Sequence, residues 1–288
     1  MGADYLEQDV VASRDGELLV LHDLYLDNVS DVAERFPQRA RDDGHFYCID
    51  FDLAEIRSLR FGERIDPATG TLKYPGRFPR EAGDFAVHTL SEEIRFIQGL
   101  NGATGRSVGI YPEIKKPAWH RKHGIDLSNR ILATLEPFGY LKKNSNIYLQ
   151  CFDSKELKSV DKIVDSAIPL VQLLGEHSYD ERDEGLDSNR LNEIAGYAAG
   201  IGPSLKLVYS GTDPDGTPKL SNLVGEAHAA GLEVHPYNFR ADRLPSNFGD
   251  FDELLQLFVV QLEVDGLFTD FPDRVARFLS QHTRLPGI

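Results

Sequence analysis

The chain has 288 residues, 41% of them hydrophobic and 27% charged, with a formal net charge of -15 and a pI near 5.0. That length supports one large globular domain or two small ones, and the acidic balance argues against nucleic acid or an anionic membrane as the main partner, since both are held by basic surface. No run of about eighteen apolar residues occurs, and the opening MGADYLEQD lacks the basic and apolar parts of a secretory leader, so neither membrane insertion nor a signal peptide is expected in the chain as written.

The first element is YLEQDV, Tyr5 to Val10, which reads as a strand. Alternate side chains of a strand share a face, so Glu7 and Asp9 point the same way; at ~4 Å and an effective dielectric near 20 they repel by roughly 4 kcal/mol. Next comes LLVLHD, an apolar run closed by His22 and Asp23. From Leu24 to about Asp84 the chain is rich in Asp, Arg, Pro and Gly with weak periodicity, and reads as an insertion, either a solvated excursion or a wall on one side of a site, as barrel loops commonly form. Cys48 falls in it; with Cys151 far away, a disulfide framework and a cysteine zinc site are both excluded.

Beyond residue 105 apolar runs alternate with amphipathic stretches. VGIYPEIK, NIYLQCFD, IPLVQLLG, AAGIGPSL, GLEVHPYNF and VDGLFTDFP read as strands. Helices are expected at Leu127 to Phe138, Ser154 to Asp165, Ser188 to Ala199, Leu220 to Ala230, Phe251 to Glu263 and Asp273 to Gln281, with Gly139, Gly200 and Gly231 as left-handed caps. Alternating strands and helices imply βαβ units around a parallel sheet. With YLEQDV the count is seven strands, which fits a TIM (β/α)8-type barrel lacking one unit better than a doubly wound sheet; no GxGxxG or GxxxxGK turn is present.

In such a barrel the chemistry gathers where the strands end. Those ends carry Glu7 and Asp9, His22 and Asp23, Glu113 and Lys115, Gln150 and Asp153, His235 and Arg240, and Thr269 and Asp270. Glu113 and Lys115 again share a face by the period-two rule. Three carboxylates facing one cavity repel unless protonated or bridged by a cation, and an all-oxygen set favours Ca2+ or Mg2+ over zinc. Neutralisation by a basic residue such as Lys115 or Arg240 is the structural alternative. A histidine beside such an ion gives or takes a proton near neutral pH, and a hard cation, a histidine and a lysine together read as phosphoryl chemistry.

The segments GADYLEQDVVASRDGELLVLHD, YPEIK, LQCFD, GIGP, HPY and GLFTDFPD, with DVAERFPQRARDDGHFYCIDF and YPGRFP inside the insertion, resemble the glycerophosphodiester phosphodiesterase family over nearly the whole chain, most of all its periplasmic bacterial members. The resemblance implies a single TIM-barrel domain over residues 1–288, with the insertion at about 24–84, that hydrolyses glycerophosphodiesters such as glycerophosphocholine to glycerol 3-phosphate and an alcohol. It implies Glu7, Asp9 and Glu113 as metal ligands, His22 as a catalytic histidine, Lys115 as a phosphate contact, and Gln150, Phe152 and Phe271 lining the substrate pocket. It also implies a divalent cofactor, Ca2+ before Mg2+, and a periplasmic location.

The resemblance departs from the family at its start. Members open with a His-Arg-Gly strand and a helix before the strand that YLEQDV represents, so the first βα unit, with a partner histidine and a phosphate-binding arginine, is expected to be missing and activity of this chain to be reduced. Two alternatives follow: a catalytically impaired binding protein of the same family, and a phospholipase D-like lyase on the same barrel that leaves a cyclic phosphate.

Overall fold

The computed structural model describes residues 1–66, 68–77, 85–176 and 186–282. The end of the 24–84 segment, including the last two residues of YPGRFP, lies outside them. Nine strands are found among the described residues: β1 Tyr5–Ala12, β2 Leu18–Val20, β3 Gly109–Ile114, β4 Leu149–Cys151, β5 Leu170–Leu174, β6 Gly200–Pro203, β7 Tyr209–Thr212, β8 Pro218–Leu220 and β9 Glu233–Val234. Seven form one sheet in the order β2-β1-β3-β4-β5-β6-β9, and β7 and β8 form a separate pair.

The sheet is mostly parallel, as the alternation of strand and helix requires. β4, β5, β6 and β9 pair in parallel, and the bonds from Gly109 N–H to Asp4 C=O and from Lys115 N–H to Val10 C=O advance along β1 and β3 together. β2 is the exception, antiparallel to β1 with Val10 opposite Val20. The count of seven is thus met with a different member: VDGLFTDFP adds a parallel bridge between Phe239 and Thr269 in place of a full strand, and LLV enters as a hairpin partner.

The chain divides into two compact units. One comprises Glu7–Arg106 and Pro112–Tyr140. Its insertion holds single-turn helices such as Val32–Arg35 and Leu53–Ile56 around an apolar cluster that includes Val11, Leu19, Leu26, Phe46, Cys48 and Phe51. Its helix Leu90–Thr104 falls where no element was expected. The sequence does carry a mark of it, because Thr89 and Glu92 form a capping box and Gly105 turns left-handed after the last turn.

The other unit comprises Met1–Leu6, Ser107–Tyr111 and Leu141–Ile288. Helices Ser154–Val164, Ser188–Ala195 and Phe251–Leu255 each start on an aspartate, Asp153, Asp187 and Asp250, whose carboxylate accepts the amide hydrogens of the first turn. Gly139 and Gly231 are left-handed as expected. Gly200 is not: it opens β6, where a Cβ would come within 2.8 Å of the Glu233 carbonyl, so close approach of neighbouring strands selects glycine there. The helix expected from Leu220 starts at Leu223, because the chain first makes the β7–β8 hairpin, whose turn carries Asp215-Gly216 with Gly216 at positive φ. Both cysteines are buried and free. No helix of the described residues is long and apolar enough to cross a membrane.

Candidate metal centre

Glu7, Asp9 and Glu113 bring one carboxylate oxygen each to within 4.8 Å of one another, the one such cluster of three or more metal-ligating side chains among the described residues. Strand parity explains the first pair: in β1, Gln8 and Val10 are buried while Glu7 and Asp9 face the other way. Glu113 comes from β3, hydrogen-bonded to β1, and all six residues of β3 are buried.

Lys115 reaches into the cluster. Its Nζ lies 3.1 Å from Asp9 Oδ1 and 3.1 Å from Glu113 Oε1. The expected alternative, neutralisation by a base, is therefore met in part by Lys115, while Arg240 pairs with Asp270 at 3.2 Å. The three carboxylates crowd one place beside this ammonium, and the electrostatics register the crowding. Burial, opposed by Lys115 and helped by Asp9, pushes the Glu113 carboxyl up to about 7. Glu7 stands well above the usual carboxylate range through burial among protein atoms and the charges of Asp9 and Glu113, although its residue keeps an exposed side. Burial disfavours the charge on Lys115, but Glu113 and Asp9 outweigh it and raise the ammonium. Such a set, all oxygen, mutually repelling and partly withdrawn from water, fits a hard divalent cation.

His22 is placed in the same unit by the β1–β2 hairpin, where Leu21 N–H donates to the Asp9 carbonyl at 2.8 Å. Its Nδ1 donates to Asp23 Oδ1 at 2.7 Å, and the ring is about half exposed, so Nε2 is the nitrogen left for exchange with another molecule. Asp23 in turn binds Arg64 at 2.8 Å. Burial alone would raise Asp23; the bond from His22 and the charge of Arg64 overcome it and hold the carboxyl below its ordinary range. Arg64 was missed from the sequence, since nothing local in the insertion marks one arginine as the partner of a residue 41 positions earlier.

Gln150, Phe152 and Phe271 belong to the other unit. Gln150 is buried on β4 and its amide donates to the Tyr111 carbonyl at 3.5 Å. Phe152 meets the Tyr237 ring edge-on with centroids 6.1 Å apart, and Phe271 lies 6.2 Å from the Phe251 ring.

The fold is thus a mostly parallel α/β sheet that gathers three acids and a lysine on β1 and β3, with a histidine on the β1–β2 hairpin. Residues 1–274 match the model of the glycerophosphoryl diester phosphodiesterase family, and the chain belongs to that family. It is 38% identical to the glycerophosphodiester phosphodiesterase of Haemophilus influenzae, over 96% of this chain and 82% of that one. It is 36% identical to the enzyme of the same name from Treponema pallidum, over 98% of this chain and 85% of the relative. By backbone it resembles the crystal structure of glycerophosphodiester phosphodiesterase from Agrobacterium tumefaciens str. C58, with a TM-score of 0.57 at 18% identity, covering 96% and 87% of the two chains. That likeness speaks for the fold, which is the expected α/β fold of TIM-barrel type.

Proposed function

We propose that the chain hydrolyses glycerophosphodiesters such as glycerophosphocholine and glycerophosphoethanolamine to glycerol 3-phosphate and an alcohol, with Ca2+ held by Glu7, Asp9 and Glu113. The observation that carries this reading is the three-carboxylate cluster, with Lys115 set against two of its members, in a chain of this family. A divalent ion bound there would supply the charge that polarises the phosphoryl group. Lys115 keeps a cation at the same place for the anionic diester, which a chain of net charge -15 otherwise repels. His22 moves a proton at Nε2, to the departing alkoxide or from the attacking oxygen, while Asp23 holds its Nδ1–H and Arg64 holds Asp23. Gln150, Phe152 and Phe271 are proposed to line the substrate pocket. A periplasmic setting and a part in glycerol and phospholipid metabolism belong to the same reading.

The test is turnover of glycerophosphocholine followed by phosphorus NMR, with Ca2+, with Mg2+ and after chelation. Hydrolysis gives glycerol 3-phosphate as the final product and stops on chelation. An accumulating cyclic phosphate assigns the lyase chemistry instead, and turnover that survives chelation removes the ion from the reading.

A further inference from the structure

His120 is fully buried, on the short helix Pro117–Lys122 that follows β3, and it has no part in the chemistry proposed above. Its two ring nitrogens meet backbone at two places, on β1 and in the turn after β3. Nε2 accepts the N–H of Ala12, on β1, at 3.2 Å. That fixes the proton on Nδ1, which donates to the Lys116 carbonyl at 3.2 Å.

The place of these bonds in the sheet gives them their meaning. Lys115 N–H donates to Val10 C=O, so in a parallel ladder the next donor along β1 is the N–H of Ala12, and its ordinary acceptor would be a carbonyl of β3. β3 has ended: Lys116 takes a left-handed conformation, φ 44° and ψ 55°, and Pro117 opens the helix. The imidazole fills the gap in the ladder. Its own backbone N–H also donates to the Lys116 carbonyl, at 3.1 Å, so the left-handed residue next to Lys115 is held by two bonds from one residue. An unmet N–H on β1 and an untied turn after β3 would otherwise lie just beyond Asp9 on one side and Lys115 on the other.

We infer that His120 is a positioning residue that locks β1 to the end of β3 and so sets the spacing between Glu7 and Asp9 on one strand and Glu113 and Lys115 on the other. This rests on the reading of those acids as an ion site. The neutral imidazole serves because it offers one acceptor and one donor on a rigid ring, which an apolar side chain of the same bulk cannot.

A substitution series separates this from a purely packing role. His120→Gln keeps an acceptor and a donor, His120→Asn reaches only the nearby Lys116 carbonyl, and His120→Leu offers neither. Titration of the full chain with CaCl2 by calorimetry, well below each variant's melting temperature, is expected to give an affinity within about threefold of the parent for Gln, and losses of about tenfold or more for Leu, with Asn between, in the range found for residues that orient metal ligands. A Leu variant that melts earlier yet binds Ca2+ within about twofold of the parent overturns the assignment, since such a residue only packs. Should the Leu variant fail to fold, equal affinities of the Asn and Gln variants overturn it. A parent chain that takes up no Ca2+ defeats the ion reading and this assignment with it, whereas parent binding with an indifferent series defeats the assignment alone.

Discussion

Two regions of the molecule bury ionisable side chains, and they answer the burial in opposite ways. In one unit Glu7, Asp9 and Glu113 crowd together with Lys115 set against Asp9 and Glu113, and two of the three carboxyls are held up in protonation by burial and mutual repulsion. In the other, His235 and Tyr111 lie 3.0 Å apart in a hydrogen bond, Tyr148 O–H donates to Glu233 at 2.9 Å, and the rings of Tyr5, Tyr111, Tyr148 and Phe268 pack edge-on or stacked around them. His235 stays neutral because it is desolvated, its protonation pushed below the usual histidine range. Gly266 makes room for it, for a Cβ there would meet its ring at 2.9 Å. The second region pairs its polar atoms within the protein and stabilises a fold; the first crowds like-charged groups at one place and invites a cation. Burial alone does not mark a site; burial with crowded like-charged groups does.

The comparison breaks most sharply at His22. His22→Ala is expected to lower turnover by roughly 10² to 10⁴, the usual worth of general acid–base catalysis, with Ca2+ affinity by calorimetry unchanged; lost ion binding would make the histidine a ligand instead. Glu113→Gln is expected to do the reverse, abolishing detectable Ca2+ binding and with it at least about 10²-fold of turnover, while ion-free melting temperature holds or rises because a source of repulsion has gone. Asp23→Asn is expected to cost about 10- to 100-fold in turnover, as for partners that fix the orientation of a working histidine, and to leave Ca2+ affinity in place.

A pH series sharpens the contrast further. Glu113 in the fold sits at about 7 against an ordinary value of 4.5. A carboxyl raised in this way stabilises the fold fully below its unfolded value, and the contribution is lost as pH rises through the folded value. Ion-free protein is therefore expected to lose melting temperature over that window. Added Ca2+, which competes with the same protons, is expected to raise it more at about pH 8 than at about pH 5.5, as scanning calorimetry would read. An increment flat with pH would put the ion away from Glu113. The smallest effect belongs to the balanced region: Tyr148→Phe is expected to cost about 1 kcal/mol in stability by denaturant titration, since Glu233 is partly exposed and water can replace the lost donor, with kcat unmoved.

Much of this was legible in the chain. Strand parity put Glu7 with Asp9 and Glu113 with Lys115, and the order of strands and helices gave the fold class, because both depend on short-range geometry that neighbouring residues impose. The helix at Leu90–Thr104 is marked too, by the capping box of Thr89 and Glu92. The β7–β8 hairpin was marked by Asp215-Gly216, and the antiparallel entry of β2 by the short turn before it.

Other features were decided only by tertiary structure. Lys115 sits between Asp9 and Glu113 because β1 and β3 are hydrogen-bonded neighbours, and Glu113 is held near 7 because the surrounding protein excludes water. Arg64 holds Asp23 from within the insertion, and His120 completes a ladder 108 residues away from its own position. The physical reason is one of range. Side-chain parity and helix caps act over a few residues and are written in the local sequence, whereas charge balance and desolvation depend on which distant groups arrive at the same place, and that is known only once the chain has folded.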